Sequence, residues 1–467
     1  MNERTFVYLC FIVLGAAGLL PWNIFITAHK YFFYKLRNVT NDMNATDLLD
    51  VDQMAHSFRE GVTPHDLSVQ QYVWMIDKPD RKLTRMQLTF EAWLTVTASF
   101  SGVMGSVVNA ALSTRIANVH RMVIGHVIVL VSLTAVTVMT RVDTDEFQIY
   151  FFAITLVLAN IANFASNGLI IGASMGLAAR FPVEIIQGSQ LGMGLVAVAI
   201  ASTSIVSQAV TPSPEWNGLC YFTAGTIFTL ISLLAYLMLI RTEYARTYIT
   251  DLDERADDGR ITDDLLSDEE EDSNIDSAPA DGSHTPTIMY RPTFVNVVRK
   301  VWYESLNTML VLAVSLSVFP AVACLTVSST SNPKWEAYFI PVMCFLLFNV
   351  GDSIGRFVTY WLRWPDKGSI AMILIVLGRI ALVPLLFLCN AQPRHFTSAV
   401  FTDDWQFAIL IAVMALSNGY CLTLSNMHGA KRVDSRELEL AGSLFGVFCV
   451  VGVVLGSAVS FGLVHLL

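Results

Sequence analysis

The stretch Phe348-Asn-Val-Gly-Asp352-Ser-Ile-Gly-Arg356 sets an amide, an acid and a base inside an apolar run. Tyr338 to Leu347 before it and Phe357 to Leu362 after it are nearly all hydrophobic. Such a run reads as a membrane-spanning helix, in which each ionised side chain costs about 2.5–3.5 kcal/mol on insertion scales. Asp352 and Arg356 are one helical turn apart and share a face, with Asn349 a turn earlier on it. Polar groups placed at that cost ordinarily line a water-filled cavity or a solute path. The competing reading is an ion pair that holds two helices together.

The rest of the chain has the same character. Of its 467 residues, 54% are hydrophobic and 15% charged, against about 25% charged in soluble domains, and the mean hydropathy is +0.53. A helix needs about 20 apolar residues to cross roughly 30 Å of hydrocarbon. Eleven segments qualify: 6–28, 88–112, 121–140, 147–179, 183–211, 217–240, 304–328, 337–362, 369–390, 404–428 and 439–466. The fourth is long and rich in small residues, so a tilt or bend is expected there, and Pro320 should kink the seventh. The first segment reads as a retained span, because Pro21-Trp22-Asn23 and the aromatic tail do not resemble a signal-peptidase site. Seven cysteines are scattered singly without a CxxC pair, which indicates neither a metal site nor a disulfide framework.

Orientation follows from the short loops. Arg115, Arg121, Arg180, Arg363, Lys367, Lys431, Arg432 and Arg436 fall in alternate loops, and the intervening ones carry only Arg141, Lys334 and Arg394. The positive-inside rule then places the N-terminus in the cytoplasm and the C-terminus outside. The same scheme puts loop 29–87 outside, where Asn38-Val-Thr40 and Asn44-Ala-Thr46 are N-glycosylation sequons. Trp216, Trp302, Trp335, Trp361, Trp364 and Trp405 fall at segment ends, as an interfacial belt requires.

Three regions result. Residues 1–240 form six spans with the external loop, 241–303 a linker, and 304–467 five spans. The linker holds fifteen acidic and seven basic residues, −8 of the formal net charge of −10, so the chain's acidity describes the linker rather than a ligand. Its core, Ile261 to Ser283, has the composition of a disordered segment. Ser267 and Ser273 each precede an acidic residue at +3, a pattern acidophilic kinases favour; an unmodified solvated linker is the plainer reading. Two sets of spans around a central site suggest a pseudo-repeated bundle of the kind secondary transporters use.

Further polar and kinking residues cluster in Leu19-Leu-Pro-Trp-Asn-Ile-Phe-Ile-Thr27. Pro21 frees a backbone carbonyl that neighbours or water must satisfy. Trp22 offers a flat face on which a planar heterocycle can stack, and Asn23 adds donors and an acceptor. A structural kink with Asn23 bonded to a neighbouring helix accounts for the same residues. Phe319-Pro320-Ala-Val322 sets a ring beside a kink, either as packing or as part of a gate. Gln190 and Glu91 are further intramembrane polar candidates. Small-xxx-small pairs at Gly172/Gly176, Gly188/Gly192, Gly351/Gly355 and Gly452/Gly456 permit close helix approach.

Catalytic signatures are lacking. The nine histidines are dispersed, no HExxH or Walker motif occurs, and Gly188-Ser-Gln-Leu-Gly-Met-Gly194 sits in a membrane helix without a preceding strand. The chain reads as neither an enzyme nor an ATP-driven pump, and no cofactor or metal is expected.

Several of these stretches together resemble one family. Leu20-Pro-Trp-Asn23, Phe90-Glu-Ala-Trp-Leu94 with Asn109, Phe319 to Val322 and Phe348 to Arg356 look like motifs of the equilibrative nucleoside transporters. So do Arg379 with Pro384 to Asn390, and Ser417-Asn-Gly-Tyr420. The resemblance covers almost the whole chain. It implies an all-α polytopic membrane protein with eleven transmembrane helices in a major-facilitator-like 6+5 bundle. It also implies sodium-independent facilitated diffusion of nucleosides such as adenosine and uridine by alternating access. By the same resemblance Asp352 and Arg356 would contact ribose hydroxyls, and Leu19, Trp22 and Ile26 would border the base. Phe319, Pro320, Phe345 and Asn349 would form the external constriction, and Gln190 and Val453 complete the expected substrate-facing set.

Two positions depart from the family pattern. Ile171 stands where some members carry a base-reading Gln, with Gln190 the candidate substitute. Ile26 stands where better-known members often have Met, which leaves inhibitor sensitivity open. The alternatives are an organic cation, monoamine or nucleobase carrier of the same fold, or a proton-coupled nucleoside transporter. Arg356 argues against cationic substrates, since a fixed cation repels them. Expected partners are a nucleoside, the lipid bilayer and a kinase acting on the acidic loop, with no nucleic acid and a monomeric state. Without an acidic dileucine signal the expected location is the plasma membrane, endosomal or lysosomal residence being the alternative.

Overall fold

Apolar composition is realised as helix nearly throughout, with two isolated β-bridges. The computed structural model describes residues 2–37, 85–249 and 294–467, apart from 114, 211–212, 331, 393, 395–397 and 435–436. The sequons at Asn38 and Asn44, the serines Ser267 and Ser273 and most of the acidic linker lie outside the described residues.

The first set of helices comprises α1 Glu3–Thr27, α2 His29–Lys35, α3 Arg85–Leu112, α4 Asn118–Met139, α5 Gln148–Asn163, α6 Gly172–Ala179, α7 Val183–Val210 and α8 Pro214–Leu239. After the linker come α9 Phe294–Val318, α10 Pro333–Phe339, α11 Leu347–Val358, α12 Ile370–Gly378, α13 Leu382–Phe387, α14 Asp404–Ala430 and α15 Leu438–Leu466. Ten described helical stretches are long and apolar enough to cross a membrane. The remaining expected span coincides with α3, 28 residues long, of which Val96–Leu112 counts as a shorter apolar helix.

Lipid tails are as apolar as Leu, so these helices gain little from hydrophobic burial against one another and cohere through close packing and hydrogen bonds. Glycines provide the close packing. A Cβ on Gly15 of α1 would run into the Ser189 carbonyl of α7, and one on Gly192 into the Ile12 carbonyl. A Cβ on Gly355 of α11 would meet the Leu416 carbonyl of α14, and one on Gly419 the carbonyl of Asp352. These two seams bring α7 and α14 against the helices that carry the candidate residues.

Two local expectations change. The fourth span is one helical stretch, Gln148–Ala179, but its irregularity is a π-helical segment, Phe164–Ile171, between α5 and α6. That segment packs against α3, where Gly105 and Gly168 meet backbone to backbone. The seventh span is one stretch, Val295–Leu325, and its irregularity at Pro320 is a break in the α-helix: α9 ends at Val318, and a short 3-10 turn, Ala323–Leu325, follows. Proline lacks the amide proton that would carry the helix on. In contrast, α1 continues straight through Pro21. Trp216, Trp361, Trp364 and Trp405 are exposed near helix ends, Trp302 is exposed two turns inside α9 rather than at its end, and Trp335 donates to Asp404 at 3.1 Å.

Candidate substrate-binding site

The paired charges of α11 meet within the helix, where Nε of Arg356 donates to Oδ2 of Asp352 at 2.7 Å. An intrahelical pair does not by itself fasten two helices, but its remaining contacts do. Nη1 of Arg356 donates to the side-chain oxygen of Gln190 at 2.6 Å and to its carbonyl at 3.1 Å, which ties α11 to α7. Oδ1 of Asp352 accepts from Nδ2 of Asn418 at 2.7 Å, which ties it to α14. Gln187 reinforces the α7 contact by donating to the Arg356 carbonyl at 3.1 Å while accepting from the Tyr8 hydroxyl at 2.8 Å.

Behind Asn418 the bonds continue to a second buried cation. Ser315 of α9 donates to Oδ1 of Asn418 at 2.7 Å and accepts from Nη2 of Arg379. Arg379 also donates to Ser417 at 2.9 Å and to the Val311 carbonyl at 3.0 Å. Buried ions persist only where their spare donors and lone pairs are matched, and charge-assisted bonds do most of that matching here.

The expected wet cavity is not open around this pair in the present conformation. Asp352 and Arg356 are each only 6% exposed, because Gln190 and Asn418 occupy positions that water or a solute would otherwise take. Gly194 of α7 approaches closely as well: a Cβ there would lie 2.7 Å from the Ser353 hydroxyl. A cavity of about 620 Å³ lies elsewhere, between α1, α7 and α8, with apolar walls that include Leu20, Ile24, Val196 and Tyr221. Leu19, Trp22 and Ile26 are half-buried and sit on another face of α1.

Asn23 donates to the Leu19 carbonyl of its own helix at 2.9 Å rather than to a neighbouring helix. Asn349 reaches the Ala197 carbonyl of α7 only at 3.4 Å. Ile171 closes the π-helical segment with its side chain laid over Gly18 of α1, so it acts in packing. Val453, on α15, is half-buried and follows Gly452, which packs against the Met309 carbonyl of α9.

Aromatic residues named from sequence also come together. Phe319 stacks on Phe348 with centroids 3.9 Å apart and planes 7° from parallel, and meets Phe345 edge-on at 5.8 Å. Pro320 follows, half-buried. Phe348 is thus a third member of the cluster. Sequence reasoning also left Ser315, Arg379 and Asn418 outside the site. Each is a polar residue within an otherwise apolar run, a weaker signal than the shared helix face that singled out Asn349.

At one end of the molecule polar contacts join the two sets of helices. Arg363, after α11, binds Glu184 at the start of α7 at 2.8 Å, and Tyr8 of α1 meets Tyr360 edge-on at 6.4 Å. Asn109, near the end of α3, donates to Ser443 of α15 at 2.8 Å while accepting from Arg121 at 2.6 Å. Gly442 and Gly176 pack backbone to backbone beside them.

Residues 156–465 match the family model described as Nucleoside transporter. The chain belongs to the nucleoside transporter family. Its similarity extends beyond the matched region. Equilibrative nucleoside transporter 1 of Mus musculus is 29% identical over 462 residues, covering 97% of this chain and 96% of the relative. Equilibrative nucleoside transporter 3 of Rattus norvegicus is 30% identical over 467 residues, covering 98% and 88%. Among solved structures, a major facilitator superfamily proton:xylose symporter aligns with a TM-score of 0.56 at 10% identity, over 99% of this chain and 89% of that one. This member of the family therefore has a major-facilitator fold and belongs with transporters rather than enzymes.

Proposed function

We propose that the chain carries nucleosides such as adenosine and uridine down their gradient by alternating access, without sodium. The observation that carries the reading is the Arg356 guanidinium, which bonds at once to Asp352 of its own helix and to Gln190 of the other set. A solute hydroxyl entering between them can replace the Gln190 or Asn418 bond to a charged group. Substrate binding and release of the contact between the two sets then become one event. A site built around such bonds rejects analogues that lack the hydroxyl, because buried polar groups are left unpaired.

The contacts through Glu184, Arg363, Asn109 and Ser443 act as the cytoplasmic gate, closed in this conformation. Phe319, Pro320, Phe345 and Asn349 act as the external constriction. Leu19, Trp22 and Ile26 border the base, and Val453 faces the solute from α15. The protein works as a plasma-membrane monomer with a cytoplasmic N-terminus, glycosylated at Asn38 and Asn44 and open to a kinase at Ser267 and Ser273.

Uptake of labelled uridine into transport-null cells tests the reading. Saturable uptake that persists when sodium is replaced, and is accelerated by unlabelled uridine on the opposite side, is the expected result. Uptake that requires a proton gradient, or that serotonin outcompetes, replaces it with the proton-coupled or organic-cation alternative.

A further inference from the structure

Five basic side chains line one cavity of about 510 Å³ that contains neither of the paired charges: Arg299 and Lys300 of α9, Lys367 between α11 and α12, and Lys431 and Arg432 after α14. They come from three separate segments, so the fold gathers them. Positive-inside topology asks only for basic residues somewhere in these loops and does not require them to converge.

Two of the five are fixed by carboxylates. Lys300 binds Asp434 and Glu437, each at 2.7 Å, and Arg432 binds Glu304 at 3.1 Å. Among the described residues no carboxylate lies within ion-pair distance of Arg299, Lys367 or Lys431, and all three are exposed. The walls are held in shape by their own contacts. Tyr303 donates to the Ser369 carbonyl at 2.7 Å, and Arg432 sits over its ring at 5.7 Å. Gly368, at φ 74°, turns the loop under Arg432, where a Cβ would lie 2.6 Å from Nη2.

The depth of the cavity bears on its occupant. Trp302, three residues from Arg299, and Trp364, three residues from Lys367, are both exposed, at 55% and 60%. Tryptophans so placed sit at the level of lipid headgroups, and basic pockets between helices at that level take phosphorylated headgroups. We propose that this cavity binds the headgroup of an anionic membrane lipid bearing more than one phosphate. Three cations unmatched by carboxylates among the described residues suit such a headgroup better than a singly charged one. A soluble polyphosphate shares the chemistry, but the exposed tryptophans three residues from Arg299 and Lys367 favour the lipid.

The full-length protein in nanodiscs decides the matter. Discs of phosphatidylcholine are compared with discs containing phosphatidylserine or phosphatidylinositol bisphosphate, and retained lipid is read by native mass spectrometry. The bisphosphate lipid should be retained at least tenfold over phosphatidylserine, and the preference should fall about tenfold in K367Q/K431Q. Arg299→Gln, at an exposed position, should show a smaller loss and stands in if the double variant misfolds. Arg115→Gln removes an exposed base outside the cavity and should change nothing. Equal retention of both anionic lipids, an unchanged pocket variant, or an equal loss in Arg115→Gln would overturn the proposal in favour of diffuse attraction. Inositol hexakisphosphate binding as tightly in phosphatidylcholine discs would overturn the lipid assignment.

Discussion

Gln190 and Arg356, 166 positions apart in the chain, are joined by a 2.6 Å bond between the amide oxygen and the guanidinium. The bond crosses from the first set of helices to the second, so any motion that separates them at this level must break it. Hydrogen bonds to charged groups contribute about 1.5–3 kcal/mol. Gln190→Ala removes a bond that separation must break, so it should lower thermal stability by about that amount and speed uridine exchange by up to roughly tenfold, each 1.4 kcal/mol being tenfold. Gln190→Glu should hold the two sets together more tightly and abolish trans-acceleration while leaving thermal stability intact. Exchange measured in proteoliposomes distinguishes the two; faster exchange in Gln190→Glu would contradict the assignment.

Asp352 and Arg356 can be separated as structural and substrate-binding groups. Breaking a buried pair by removing one member costs about 3–5 kcal/mol, so Asp352→Asn or Arg356→Gln alone should lower the melting temperature in detergent. D352N/R356Q should recover much of that stability and none of the uptake. Recovery of both would make the pair a fastening only.

Arg379 is linked to Asp352 through Ser315 and Asn418, two neutral side chains in series. Ser315→Ala leaves Asn418 without its donor and should cost about 1–3 kcal/mol of stability. Because Asn418 then loses its fixed orientation, discrimination between uridine and 2′,3′-dideoxyuridine should weaken as well. A competition assay with the dideoxy analogue reads this; unchanged discrimination would confine the relay to stability.

Gly419 permits the contact between α14 and α11. A methyl group there would run into the Asp352 carbonyl, whereas one at Gly462 meets nothing within 4 Å. Overpacking of this kind costs about 1–3 kcal/mol. Gly419→Ala should lower both thermal stability and uptake, and Gly462→Ala neither. Similar thermal curves for the two variants would show that the helices can slide apart to accommodate the methyl.

Much of the site was legible because it is local. Residues four apart share a helix face whatever surrounds them, so the Asp352–Arg356 pairing followed from spacing alone. The resemblance to the family pointed to Phe319 and Phe345 but left out Phe348, which follows Phe345 by three residues and stacks on Phe319. The role of Ile171 was not legible: only its position over Gly18 shows that the side chain is spent on packing. Pro320 marked where the seventh span becomes irregular, but not that α9 would end as regular helix at Val318.

The sequence by itself determined a bundle of apolar helices and the adjacency of one acid and one base, because hydropathy and helical period act over a few residues. Tertiary structure alone decided that Gln190 and Asn418 would satisfy the pair and enclose it. Those partners come from distant helices, and the glycine contacts that bring the backbones close enough to bond exist only once the helices have packed.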